Sequence, residues 1–104
     1  MSTDIFYEPV TEGIAYGLFA SDEPLQIRYV GQTYLPPFMR LRAHLMPQNK
    51  NAKVREWAKA VQARGGRVGM RILGRYPIAE LSSAERKWIV FWRQYCDLYN
   101  YHPH

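Results

Sequence analysis

Arg40 and His44 lie four residues apart in the stretch FMRLRAHL, so a helix there sets a guanidinium and an imidazole one turn apart on the same surface. Such a pair can grip an anionic oxygen and exchange a proton beside it. Two tyrosines, Tyr16 in GIAYGLF and Tyr29 in IRYVG, precede this helix in short apolar runs and bring phenolic hydroxyls. Further on, Glu85 begins the apolar stripe of Trp88, Ile89, Trp92 and Cys96, which puts a carboxylate on a face expected to be buried. The Ser82 to Glu85 spacing also reads as a capping box, a role that competes with metal binding for the same oxygens.

The elements that must position these groups can be read from punctuation and periodicity. GIAYGLF at 13–19 and IRYVG at 27–31, joined by the turn-like ASDEPLQ, predict a hairpin with a rather long connection. Strand alternation puts Ile14, Tyr16 and Leu18 on one face, and groups Ile27 with Tyr29 and Gly31. After Pro36 and Pro37 a helix follows, on which Arg42 points away from Arg40 and His44. The stripe Val54, Trp57, Ala58, Val61 predicts a second helix, stopped by the glycines of RGG at 64–66. RVGMRILGRYP reads as a third strand, with Val68, Met70 and Ile72 on one side, Arg67, Arg71 and Leu73 on the other, and Pro77 at its end. A last helix is expected to open at LSSAE. The order strand, strand, helix, helix, strand, helix gives an α/β chain of the α+β kind. No internal repeat or linker is visible, so residues 1–104 read as a single domain.

At 104 residues the chain can bury roughly 60–70% of its unfolded surface, enough for one core. Trp57, Trp88 and Trp92 fall at helical core spacing and are assigned to packing, and the single Cys96 reads as a core thiol. The N-terminus lacks the pattern of a signal peptide and no apolar run approaches the ~20 residues of a membrane helix, so the expected setting is cytoplasmic, without a membrane partner. The charge is uneven. All fourteen Lys and Arg lie at or beyond Arg28, whereas five of the nine acids lie at or before Glu23, so residues 24–104 carry fourteen cations against four acids, a net +10. Ten of those cations are arginine, the side chain whose planar fork suits phosphate oxygens.

Gly13-Ile14-Ala15-Tyr16, Tyr29-Val30-Gly31-Gln32-Thr33, Arg40 with His44, Glu85 before Trp88-Ile89, and Asn100 occur in the order and on the elements of a known pattern: the chain resembles the GIY-YIG endonuclease family over residues 13–100. The first motif has one residue more than the name implies, and Tyr16 is aligned because it shares a face with Ile14 and Leu18. The resemblance implies a small three-stranded antiparallel sheet flanked by helices, β-β-α-α-β-α, that hydrolyses DNA phosphodiesters with one Mg²⁺, for which Mn²⁺ can substitute. It implies Glu85 as the metal ligand, Arg40 as the clamp on the scissile phosphate, and His44 as a second phosphate partner or a proton carrier. Tyr16 and Tyr29 match the name-giving tyrosines. Asn100 would anchor a loop or a phosphate, and Gln32 and Arg42 are assigned to substrate binding.

A tyrosine has a pKa near 10, so to serve as general base it would need the site's positive charge to lower that value, and the base stays open between the tyrosines and His44. No added reader of base sequence is visible, so specificity would come from the domain's own loops, from DNA structure, from a homodimer or from a separate partner. A non-catalytic DNA-binding or protein-interaction module on the same fold is the alternative. His102 and His104 in the terminal HPH are not expected to form a metal site.

Overall fold

Strand β1, Glu12–Ala20, is buried almost continuously rather than alternately, as befits a strand covered on both faces. It is the centre of a three-stranded antiparallel sheet of order β2-β1-β3, with β2 at Glu23–Thr33 and β3 at Val68–Pro77. Helices α1 (Pro37–Leu45) and α2 (Ala52–Ala63) lie between β2 and β3 in sequence, and α3 (Ile78–Arg93) follows β3. The molecule is therefore the small α+β domain expected, in the order β-β-α-α-β-α. The computed structural model describes residues 3–100. His102 and His104 lie outside them.

Each face of the sheet has its own core. On one, Ile14, Tyr16 and Leu18 pack with Val54, Ala58 and Val61 of α2, joined by Leu41 and Leu45 of α1. On the other, Ile27 and Val30 pack with Cys96 and Leu98, flanked by Trp88, Ile89 and Trp92. Among the described residues no helix is long and apolar enough to cross a membrane.

Three expectations are corrected. The hairpin connection is only the pair Ser21-Asp22, because β2 already starts at Glu23 and Pro24 is tolerated in an edge strand, where a missing N–H breaks no ladder. Arg64 from the end of α2 fastens this turn, meeting Asp22 through Nε at 2.8 Å and a terminal nitrogen at 3.1 Å. Ile27 does not share a face with Tyr29. The register runs Leu18 to Tyr29 but Phe19 to Ile27, so Arg28 is an extra residue, a bulge that sends Ile27 into the α3-side core and leaves Tyr29 packed with Tyr16.

The third correction concerns α3, which opens at Ile78 with Pro77 as its N-cap, one turn before the expected start. The proline that closes β3 thus also starts the helix, and no loop remains for Ser82 to cap. Ser82 and Glu85 stand inside the helix, and the capping-box reading of Glu85 falls. The stop of α2 is as expected: Gly65 takes φ 83°, a left-handed conformation that glycine enters without a Cβ penalty.

Candidate active site

Tyr16 projects from the central strand into the core beneath α1, where it is fully buried. Its hydroxyl lies 2.6 Å from His44 Nε2 and receives a hydrogen bond from Arg40 Nε at 3.2 Å. A guanidinium can only donate, so Tyr16 accepts from Arg40, and the arrangement that also uses the phenolic proton has Tyr16 donating to an unprotonated Nε2. The i, i+4 spacing on α1 is what lets both groups reach one hydroxyl. Tyr29 completes the cluster, its ring centroid 4.9 Å from that of His44 and 6.5 Å from that of Tyr16.

The glycine of YVG makes room for this arrangement. A Cβ at Gly31, which pairs with Tyr16 across the strands, would run into the Tyr16 hydroxyl and lie 2.9 Å from the Tyr29 ring. Ala15 is buried and occupies the neighbouring register position, on the other face of the strand. Of Ala15 and Tyr16 in GIAY, Tyr16 is the one that meets Arg40 and His44.

Burial governs the protonation states. His44 is buried, and desolvation, helped by the charge of Arg40, pushes its pKa down from 6.5 to about 4, so it is neutral at pH 7. Both tyrosines are held above the ordinary phenol value by burial, although Arg40 pulls each of them down. This reverses the condition set for a tyrosinate base, because dehydration outweighs the nearby cation. The Arg40 guanidinium is itself raised, the tyrosine partners outweighing its partial burial.

Glu85 reaches the same neighbourhood from α3. Its carboxyl is raised by burial and lowered by Arg40 and Arg86, and its charge in turn raises Tyr16 and Tyr29. Among the described residues the half-buried carboxylate has no hydrogen-bond or ion-pair partner. With Tyr29, Gln32, Arg86 and Asn100 it lines a cleft of about 580 Å³ along the edge strand β2. Arg40 and His44 border a second hollow, of about 470 Å³, with Asn49 and Lys50. A larger apolar hollow of about 640 Å³ lies elsewhere, between Tyr76, Trp88 and Phe91, and none of the residues of this constellation lines it.

The three substrate-binding assignments have distinct positions. Asn100 spends its amide on the backbone of Val30, accepting from the N–H at 2.9 Å and donating to the carbonyl at 2.7 Å, so it fastens the chain after α3 to the outer edge of β2. That is a loop anchor on the rim of the cleft. Gln32 exchanges hydrogen bonds with Ser82, its Nε2 at 3.1 Å from the hydroxyl. Arg42 is exposed on the outer face of α1. Sequence reasoning passed over Arg86, although its position next to Glu85 was a usable signal. It also passed over Asn51, which caps α2 by accepting from Val54 N, donates to Tyr99 O, and lines the cleft.

A carboxylate with no hydrogen-bond or ion-pair partner among the described residues, on the wall of an open cleft, suits Mg²⁺, which keeps several waters and is commonly bound through one or two carboxylates plus substrate phosphate. Among the described residues no group of three or more His, Cys, Asp or Glu gathers into an all-protein metal cage. The arrangement thus offers a cation ligand, an anion clamp and a hydrogen-bonded Tyr-His couple within one neighbourhood. Comparisons with protein families, with curated proteins and with solved structures find no match for this chain.

Proposed function

We propose that the protein is a Mg²⁺-dependent DNA endonuclease of the GIY-YIG type, for which Mn²⁺ can replace Mg²⁺. What supports this reading most is that the Glu85 carboxylate, which has no hydrogen-bond or ion-pair partner among the described residues, lines one cleft with Tyr29 and lies within electrostatic reach of Arg40 and Tyr16, although these residues come from α3, β2, α1 and β1.

Phosphodiester hydrolysis needs a proton acceptor for the attacking water and positive charge where negative charge grows on the phosphoryl oxygens. Arg40 uses one of its five N–H donors on Tyr16 and has others to offer a phosphate oxygen; losing such a clamp costs on the order of 10²–10³ in rate. Tyr16 stays neutral until the reaction begins. Its oxygen is fully buried beneath Arg40, so water would reach it only as Arg40 turns onto the phosphate; as that oxygen takes a proton from water, its own proton passes along the 2.6 Å hydrogen bond to His44 Nε2. The oxygen of the hydroxide so formed then bonds to phosphorus, the opposite P–O bond breaks with its electron pair going to the leaving oxygen, and that alkoxide takes a proton from solvent. The imidazolium that results is disfavoured by burial and by Arg40, and the negative charge of a bound phosphodiester offsets both. Glu85, with water and phosphate oxygens, would hold the metal ion, which supplies charge neutralisation and activation of water.

Supercoiled plasmid incubated with protein and Mg²⁺ tests this. Wild type should relax or linearise it, chelator should stop the reaction, and Glu85→Ala, shown folded by circular dichroism, should be inactive. Equal cutting by wild type and Glu85→Ala, or intact plasmid with both, would refute the reading.

A further inference from the structure

A second feature borders Arg40. From the end of β2 into the first turn of α1 the chain exposes four large apolar side chains, two on each side of Pro36-Pro37: Tyr34 at 60%, Leu35 at 49%, Phe38 at 68% and Met39 at 48%. Tyr34 and Leu35 share a small hollow of about 210 Å³ with Arg40, so the patch and the Tyr16 couple both adjoin Arg40. Phe38 and Arg42 are neighbours at i, i+4 on α1.

The backbone beneath is held firmly. Pro36 and Pro37 fix their own φ angles, Leu35 N donates to Thr33 Oγ1 at 3.0 Å, and Pro36 O accepts from Met39 N at 3.0 Å. Aromatic rings presented on such a support lose little freedom when they are covered.

Charge decides what covers them. Residues 24–55 contain no Asp or Glu and six Lys or Arg. Two copies meeting through this face would add a second set of these cations to the first, with no acid among residues 24–55 of either copy to answer them. An acidic protein would satisfy the charges yet leave the aromatic faces without a specific partner. A nucleic-acid strand supplies both phosphates for the arginines and π-faces for the rings, but only where its bases are unpaired and unstacked.

We infer that Tyr34 and Phe38 form a stacking platform for unpaired bases beside the phosphate held by Arg40, so that the preferred substrate is DNA with a single-stranded segment at the site. The inference rests on the proposed nuclease reading for the role of Arg40, but its test reads binding without cleavage.

Fluorescence polarisation in EDTA compares a labelled duplex with the same duplex carrying a central thymine bubble. Wild type should prefer the bubble. Tyr34→Ala and Phe38→Ala should each weaken bubble binding by roughly 5- to 150-fold, the range for losing one stacked base. Duplex binding and the thermal midpoint should stay put, and Phe38→Trp should keep the preference. Equal loss on both probes, no loss on either, or a Phe38-dependent homodimer without any effect on DNA would overturn the inference. The plasmid assay separates this from the activity itself. Glu85-dependent cutting with no bubble preference defeats the platform alone, whereas aromatic-dependent bubble binding without cutting upholds the platform and defeats the nuclease.

Discussion

The neutral state of His44 has a measurable cost in acid. In the unfolded chain this histidine takes up its proton near pH 6.5, whereas in the fold it resists protonation until about pH 4. Between those values the unfolded state binds more protons, so stability is complete above pH 6.5 and drains away as pH falls toward 4. At ~1.4 kcal/mol per pH unit the depression amounts to about 3 kcal/mol, a large share of the roughly 5–15 kcal/mol that holds a typical domain. Urea denaturation at pH 7, 5.5 and 4 measures it. The control is His44→Gln, which keeps an acceptor for Tyr16 but does not titrate. Other groups also shift: Asp22 is held down by Arg64 and adds to acid lability, and Glu85 is raised and opposes it. Both contributions cancel in the difference between wild type and variant. That difference should shrink by about 3 kcal/mol from pH 7 to pH 4. A pH-independent difference, or a folded-state NMR titration of His44 centred near 6.5, would refute the reasoning.

Gly31→Ala should lower stability by ~1–3 kcal/mol in thermal denaturation, because its Cβ displaces the Tyr16 ring, and should move the His44 ring resonances; an unmoved His44 would show that the glycine is not needed for the couple. Asn100→Ala should cost ~1–3 kcal/mol and speed amide exchange at Val30, whose N–H loses its acceptor, and unchanged exchange would remove Asn100 as the anchor of the β2 edge.

The order of the elements was legible because prolines and glycines mark their ends. Pro36 and Pro37 start α1, Gly65 stops α2, and Pro77 divides β3 from α3. Alternation also placed Tyr16 with Ile14 and Leu18 in one core. It could not reveal the bulge at Arg28, since an extra residue reverses the faces of everything on one side of it without altering composition. The false capping box has a similar origin. Ser82 and Glu85 have the right spacing, but whether a helix begins there depends on residues upstream, and Pro77 had already fixed the start. The cleft itself was invisible to local patterns because its walls come from β2, α3 and the chain that Asn100 ties down.

The protonation pattern carries the most weight for mechanism. A sequence shows that Tyr16, Arg40 and His44 could meet, and nearness to Arg40 suggests a lowered phenol pKa. The fold instead buries the hydroxyl and the imidazole so deeply that both are neutral, leaving Arg40 as the charged member of a short hydrogen-bonded chain. Buried neutral donors and acceptors hold their geometry at little electrostatic cost, but moving a proton along them separates charge where the dielectric is low. Transfer from Tyr16 to His44 is therefore uphill in the free protein. Under the proposed function an arriving phosphodiester changes that balance, because its negative charge counters Arg40 and stabilises the imidazolium being formed. The same burial that weakens His44 as a free base would then couple its basicity to the presence of substrate.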